Sequence, residues 1–448
     1  QLPRHLLMRW LKRILGGHCF SPALFVGLAG LVAAQSDTPY RTPSAALAAI
    51  VDAPLTPIVS ISPDKQTLLL IEPAPLPPVS ELAEPELRLA GLRINATTNG
   101  PSRNTYATGF MLKRLADGRE RRVPGLPANA RLDASAFWSP DSQHIAFTVT
   151  TDDAVQPWVA DVTTASATRL TNRMLNTGAG GEPRWMDNQT LVVALVPSDR
   201  GVAPTAPRVP TGPLVQENQG RKKQARTFQD MLSSPHDEAL FDYYATSELA
   251  VVTLDGAVTL LGRRGVFLRQ SVAPSPDGRY LLLRPVRRPY SYMVWASWFP
   301  TKIEVLDRTG KVVCTVADLP LVESIPLYFF DSVRPGPRSV SWRADVSATL
   351  SWVEALDGGD AERPADLRDE VFMLAAPFVE PPVSLQKFAF RVDDYNYITW
   401  GDDAHAIVTE SWWKTRRERS WLLAPGRPGT TPALLFDRSA EDEYGNPG

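Results

Sequence analysis

One short pattern recurs along the sequence and limits its fold more than any other feature. An aromatic or apolar residue stands three positions before an Asp or Asn, and an apolar run begins about four positions after it. The copies are Ile61-Ser-Pro-Asp64, Trp138-Ser-Pro-Asp141, Trp185-Met-Asp-Asn188, Pro274-Ser-Pro-Asp277, Trp342-Arg-Ala-Asp345 and Trp400-Gly-Asp-Asp403. Five residues past each Asp or Asn comes Leu69, Ala146, Val193, Leu282, Leu350 or Val408, apolar every time.

Each copy reads as a turn that feeds a strand. Pro fixes φ at roughly −65° in the turn, Asp caps it through its side chain, and Gly278 supplies a positive φ. Runs such as Leu281-Leu-Leu283 and Ile145-Ala-Phe147 do not alternate, as expected of strands covered on both faces. Further strand-turn-strand signals follow, among them Trp158-Val-Ala-Asp161, Leu249 to Gly256 and Ile303 to Gly310. One repeat therefore supplies four strands. The anchors lie 77, 47, 89, 68 and 58 residues apart, which fits propeller blades of roughly 40–50 residues with loop insertions. A lone four-stranded sheet cannot bury both faces, whereas radially arranged sheets cover one another. The prediction is an all-β fold, a β-propeller over 50–448, with an insertion at about 199–245 that is helical from Thr227 to Leu232. The 41 prolines and 28 glycines agree, because neither residue suits helix interiors or central strands.

Ahead of the repeats, Arg9, Lys12 and Arg13 precede an apolar run from Phe20 to Ala34 that ends in Val-Ala-Ala before Gln35. This reads as a signal peptide over 1–34, followed by a linker over 35–49. The run is shorter than the roughly 20 residues of a membrane-spanning helix, so no membrane partner is expected after cleavage. Cys19 lacks a lipoprotein context. Removal of 1–34 leaves one cysteine, Cys314, and a mildly acidic protein, consistent with a bacterial periplasmic or secreted location. The near balance of charge excludes a nucleic-acid binder; the cluster Arg221, Lys222, Lys223 and Arg226 reads as a solvated loop.

Several longer strings carry a resemblance. They are Ile50-Val-Asp-Ala-Pro54, Leu76-Pro-Pro-Val-Ser-Glu-Leu-Ala83 with Pro85-Glu-Leu-Arg-Leu-Ala-Gly91, Asp318-Leu-Pro-Leu321 and Gly336-Pro-Arg-Ser-Val-Ser-Trp342. Others are Trp352-Val-Glu354, Asp357-Gly-Gly-Asp360, Glu410-Ser-Trp-Trp-Lys-Thr-Arg-Arg417 and Leu435-Phe-Asp-Arg-Ser-Ala-Glu-Asp442. Together they resemble the propeller domain of the glutamyl-endopeptidase branch of the prolyl oligopeptidase family. That resemblance implies a gating propeller over an α/β-hydrolase domain with a Ser-Asp-His triad and a peptide substrate. It also implies about seven blades, of which six copies are visible, so the closing strands and the catalytic domain are expected beyond Gly448.

No G-x-S-x-G nucleophile elbow occurs in the sequence, and no catalytic residue is assigned. Among candidate bases, His144 and His405 read as packed or edge residues beside central strands, and His236 belongs to the insertion. Cleavage after acidic residues would call for a cation to meet the substrate carboxylate; Arg338, Arg416 and Arg417 are the candidates, with pairing to nearby carboxylates as the alternative. No metal pattern and no cofactor is implied: Asp152-Asp153 and Asp402-Asp403 read as turns, and Gly178-Ala-Gly-Gly181 lacks a phosphate-loop context. A free-standing interaction propeller and a propeller enzyme working from its central tunnel are the competing classes.

Overall fold

The computed structural model describes residues 42–446 apart from 75, 76, 78, 128, 129, 210, 211, 213–227, 324–329 and 393–397. The leader expected at 1–34 and the cluster Arg221, Lys222, Lys223 and Arg226 lie outside the described residues. The protein divides into two compact units after Pro54. The first contains the helix Ala45–Val51, which buries none of its side chains. The second holds every described strand. No helix among the described residues is long and apolar enough to cross a membrane.

Six antiparallel blades follow one another in sequence order. Blade 1 has β1 (Ile58–Ile61) and β2 (Thr67–Pro73), then a connection carrying the hairpin β3 (Leu87–Leu89) and β4 (Leu92–Ile94), then β5 (Tyr106–Arg114) and β6 (Glu120–Arg122). The short β7 (Arg131–Asp133) bridges β5 to blade 2, which is β8 (Phe137–Trp138), β9 (His144–Thr150), β10 (Val155–Asp161) and β11 (Ala167–Arg169). Blade 3 is β12 (Arg184–Trp185), β13 (Thr190–Leu195), β14 (Thr246–Thr253) and β15 (Val258–Val266). Blade 4 is β16 (Val272–Pro274), β17 (Tyr280–Leu283), β18 (Thr301–Asp307) and β19 (Val312–Leu319). Blade 5 is β20 (Arg338–Trp342), β21 (Thr349–Ala355), β22 (Asp369–Ala375) and β23 (Val383–Phe388). In blade 6, β24 (Arg391–Val392) and β25 (Ile398–Trp400) both pair with β26 (Ala406–Trp412), and β27 (Arg417–Leu423) and β28 (Ala433–Ser439) complete the sheet.

The repeated motif builds the turn between the first and second strands. In the three Ser-Pro-Asp copies the serine hydroxyl donates to the Asp carboxylate at 2.6 Å. The carboxylate accepts the backbone N–H two residues on, and the serine oxygen accepts the N–H that opens the next strand. The tryptophans at the anchor have a second task. Trp138 donates its indole N–H to Ser60 Oγ at 3.0 Å, Trp185 to the Phe137 carbonyl at 2.7 Å, and Trp342 to the Ala273 carbonyl at 2.8 Å. Each bond reaches the first strand of the preceding blade. Trp400 instead lies under the Arg343 guanidinium of blade 5, 4.7 Å away.

Five hydrophobic cores join the blades in sequence, because each central strand packs on both faces. Ile145 and Phe147 face blade 1, while Ala146 faces blade 3. Leu281 and Leu283 face blade 3, while Leu282 faces blade 5. Val353 and Val408 meet between blades 5 and 6. The outward faces of the first and last blades keep apolar side chains in solvent, with Val59 and Ile61 on β1 and Ile407 on β26 exposed.

Antiparallel pairing places the motif turns on one face of the propeller and the second-to-third-strand connections on the other. Three of those connections are long, at 74–105, 196–245 and 284–300, and they share a core of Leu89, Leu232, Phe241, Val286, Val294 and Phe299. This cap contains the helix Pro235–Ala245, later than the helix expected from Thr227 to Leu232. Thr227 is outside the described residues and 228–232 is irregular. The start is set by capping: Ser234 accepts the Asp237 N–H, Pro235 occupies the first turn, and Asp237 and Glu238 face the positive helix end. Arg288 then ties this helix to the blade-4 connection through Glu238 and Asp242.

Candidate functional site

Two cavities open on the cap-bearing face, and the segment 330–334 contributes to both. The first, about 620 Å³, lies between blades 4 and 5. Its apolar wall is made by Val286, Ile303, Leu319 and Val333, and its polar groups include Arg269, Arg284, Arg334, Arg338 and several serines. No carboxylate is among its described lining residues. The second, about 610 Å³, lies at blade 6 and is lined by Phe330, Asp331, Trp413, Arg416, Arg417 and Glu441, among others. Phe330 and Trp413 contact each other with ring centroids 4.1 Å apart.

Arg338, Arg416 and Arg417 all line these cavities, and all three are paired. Arg338 is buried at the start of β20 against the fully buried Asp369. Arg416, whose φ of 55° closes the turn into β27, stacks over Trp413 at 3.4 Å and meets Glu441 at 3.1 Å. Arg417 forks onto both oxygens of Asp437 at 2.6 Å. That contact holds the Asp437 carboxyl below the usual range and raises the Arg417 guanidinium.

Beneath the second cavity is a charged cluster that sequence reasoning missed. Arg391 donates to both oxygens of Asp357 at 2.8 and 2.7 Å and to Asp369 at 2.9 Å. It also reaches the Asp331 carbonyl, and the Asp331 carboxylate in turn accepts the Trp413 N–H at 2.8 Å. The aromatic rim is thus fixed to the blade 5–6 junction. A partial signal for it exists in the sequence: Arg338 opens the short strand Arg-Ser-Val-Ser-Trp and Arg391 follows Phe388-Ala-Phe390, and a charge folded in at such a place needs a buried partner.

The three candidate histidines occupy separate elements. His144 packs in β9, its Nε2 3.8 Å from Asp161 and its ring tilted on Trp185. His405 is an exposed turn residue with Nδ1 2.9 Å from Asp402. His236 sits at the start of the cap helix. Asp402 caps its turn by accepting the Ala404 N–H at 2.7 Å. Among the described residues, no group of three His, Cys, Asp or Glu is arranged to hold a metal ion.

No family model matches the sequence. A probable chloroplastic glutamyl endopeptidase of Oryza sativa subsp. japonica is 40% identical over 424 residues, covering 91% of this chain and 44% of that protein. One from Arabidopsis thaliana is 42% identical over 425 residues, covering 92% and 43%. The chain is a homologue of the glutamyl endopeptidases. It spans under half the length of these relatives. Among solved structures, the Pyrococcus horikoshii acylaminoacyl peptidase aligns with a TM-score of 0.40 at 12% identity, over 87% of this chain and 47% of that one. TolB from Acinetobacter baumannii gives 0.29 at 14%, over 71% and 60%. Within this glutamyl-endopeptidase homologue, strings on which the resemblance rests line both cavities: 336–342 the first, and 410–417 with 435–442 the second.

Proposed function

We propose that this protein is the substrate-access propeller of a serine endopeptidase, working with an α/β-hydrolase domain that belongs to the part of its relatives it does not match. The similarity to proteins named glutamyl endopeptidase over nine-tenths of the sequence carries the reading. The architecture supports it. Long connections are gathered on one face into a cap, and both large cavities open on that face. The propeller walls off the catalytic site and admits flexible peptides while excluding folded proteins. A further blade covers the outward apolar faces of blades 1 and 6. The leader-like sequence at 1–34 supports export to a bacterial periplasm or medium, whereas the relatives are chloroplastic by name.

The test compares the 448-residue protein with the product of its whole reading frame, using a fluorophosphonate serine probe and fluorogenic peptides. The expected result is no labelling of the propeller alone. The complete protein should be labelled, cleave short peptides and spare folded proteins. Labelling of the propeller alone, or a reading frame without a G-x-S-x-G segment, overturns the proposal.

A further inference from the structure

Among the arginines that line the cavity between blades 4 and 5, Arg284 donates to the Gln270 carbonyl, and Arg334 makes a comparable bond. Arg338 is matched by Asp369 and Arg269 by Glu182 at 3.4 Å. Arg334 donates from Nη2 to the Pro320 carbonyl at 2.7 Å, and no carboxylate partner is found for it among the described residues. Its Nε is buried without an acceptor, and so is the hydroxyl of Ser332, two residues earlier in the same wall. Burial pulls the Arg334 guanidinium down to about 10. Arginine does not give up its proton under ordinary conditions. A desolvated guanidinium without a counter-charge is costly, so this arrangement suits an anion that arrives from outside.

We propose that the cavity is a carboxylate-binding site in which Arg334 and Ser332 hold the anion while the apolar wall receives the body of a peptide. The planar guanidinium offers N–H donors matched to a carboxylate, and the serine hydroxyl can donate beside it. The volume of about 620 Å³ accommodates a side chain with its neighbouring residues. Val286, Ile303, Leu319 and Val333 favour a carrier with apolar flanks over a bare inorganic anion. That the carrier is a peptide rests on the peptidase reading; that the site takes a carboxylate does not. The carboxylate is either an acidic side chain or the terminal carboxylate of a peptide, since both present the same group.

Calorimetric titration of the purified protein distinguishes the sources. The probes are acetyl-Ala-Leu-Glu-Ala-amide, acetyl-Ala-Leu-Gln-Ala with a free C-terminus, acetyl-Ala-Leu-Gln-Ala-amide, and inorganic phosphate. At least one of the two carboxylate peptides should bind, with the uncharged peptide and phosphate weaker by about tenfold or more, as expected for loss of a charge-assisted hydrogen bond. Arg334→Met should weaken binding by a similar factor and Arg334→Lys by less, with circular dichroism confirming that both variants are folded. Equal binding of charged and uncharged peptides, preference for phosphate, or no effect of Arg334→Met overturns the site. Absence of binding by every probe also overturns it. Hydrolysis by the complete protein is measured separately, so the peptidase reading can survive that result.

Discussion

Asp369→Asn tests whether the charged cluster welds blade 6 onto blade 5. Asp369 is fully buried and accepts from Arg338, from Arg391 Nη1 at 2.9 Å and from the Val392 N–H at 2.7 Å. The last two donors belong to blade 6. Asparagine keeps the volume but removes the charge and one acceptor, and its amide N–H groups face a guanidinium. Breaking a buried pair in this way costs about 3–5 kcal/mol. A typical protein has a net stability of only about 5–15 kcal/mol, so the variant should be near the edge of stability. The control is Asp437→Asn, which breaks the Arg417 fork within blade 6 where it is open to water; an exposed pair of this kind contributes little. Urea unfolding followed by tryptophan fluorescence reads both. A loss under about 1 kcal/mol for Asp369→Asn, or an equal loss for the two variants, would refute a buried hub whose uncompensated charges dominate.

Two further outcomes are expected. Gly278→Ala should destabilise by about 2 kcal/mol or more, because an added Cβ would sit 1.9 Å from the Met186 carbonyl oxygen of blade 3. Lys65 holds a similar φ of 59° in the equivalent turn of blade 1 and is exposed, so Lys65→Gly should change stability little, and equal effects would discount the clash. Acid should weaken the repeated turns. Burial raises the Asp277 carboxyl, but the Ser275 hydroxyl and the Arg279 N–H outweigh it and hold it below its ordinary value; at Asp64 the Ser62 hydroxyl leads. With folded values depressed, the unfolded state binds more protons. The contribution is therefore complete above about pH 4 and is lost as pH falls through the folded values. Asp277→Asn should lower the melting temperature at pH 6 and flatten its decline below pH 4; an unchanged acid slope would contradict this assignment.

The blades were legible because their physics repeats. The Ser-Pro-Asp turns and the unalternating strands around Leu69, Ala146 and Leu282 each appear several times, so a coincidence at one copy is corrected by the others. The anchoring tryptophans were visible as a pattern, but their indole bonds to the preceding blade were not, since the acceptors at Ser60, Phe137 and Ala273 lie 69 to 78 residues away in two cases and 48 in the third. The cap helix was misplaced within an irregular, Pro-rich stretch, where the cap at Ser234 carried more weight than the polar run ahead of it. Arg338 drew attention as a cation, yet its burial against Asp369 depends on a pairing across 31 positions.

The contrast has a structural cause. A propeller repeats its turns on one face and is free to vary the connections on the other, because the inter-blade cores do not depend on connection length. Blade 2 closes its second-to-third connection in 151–154, whereas blade 3 extends the equivalent connection over 196–245. What varies can gather into something new: Phe241 from blade 3 meets Tyr290 and Phe299 from blade 4 at 5.0 and 5.9 Å, and the hairpin of blade 1 joins the same core. The candidate site arises likewise, with Arg334 from one blade-to-blade link, Ser271 from another and Trp298 from the cap. None of these residues belongs to the repeat. Recurrence therefore identifies the scaffold, and the cavities are found where recurrence stops.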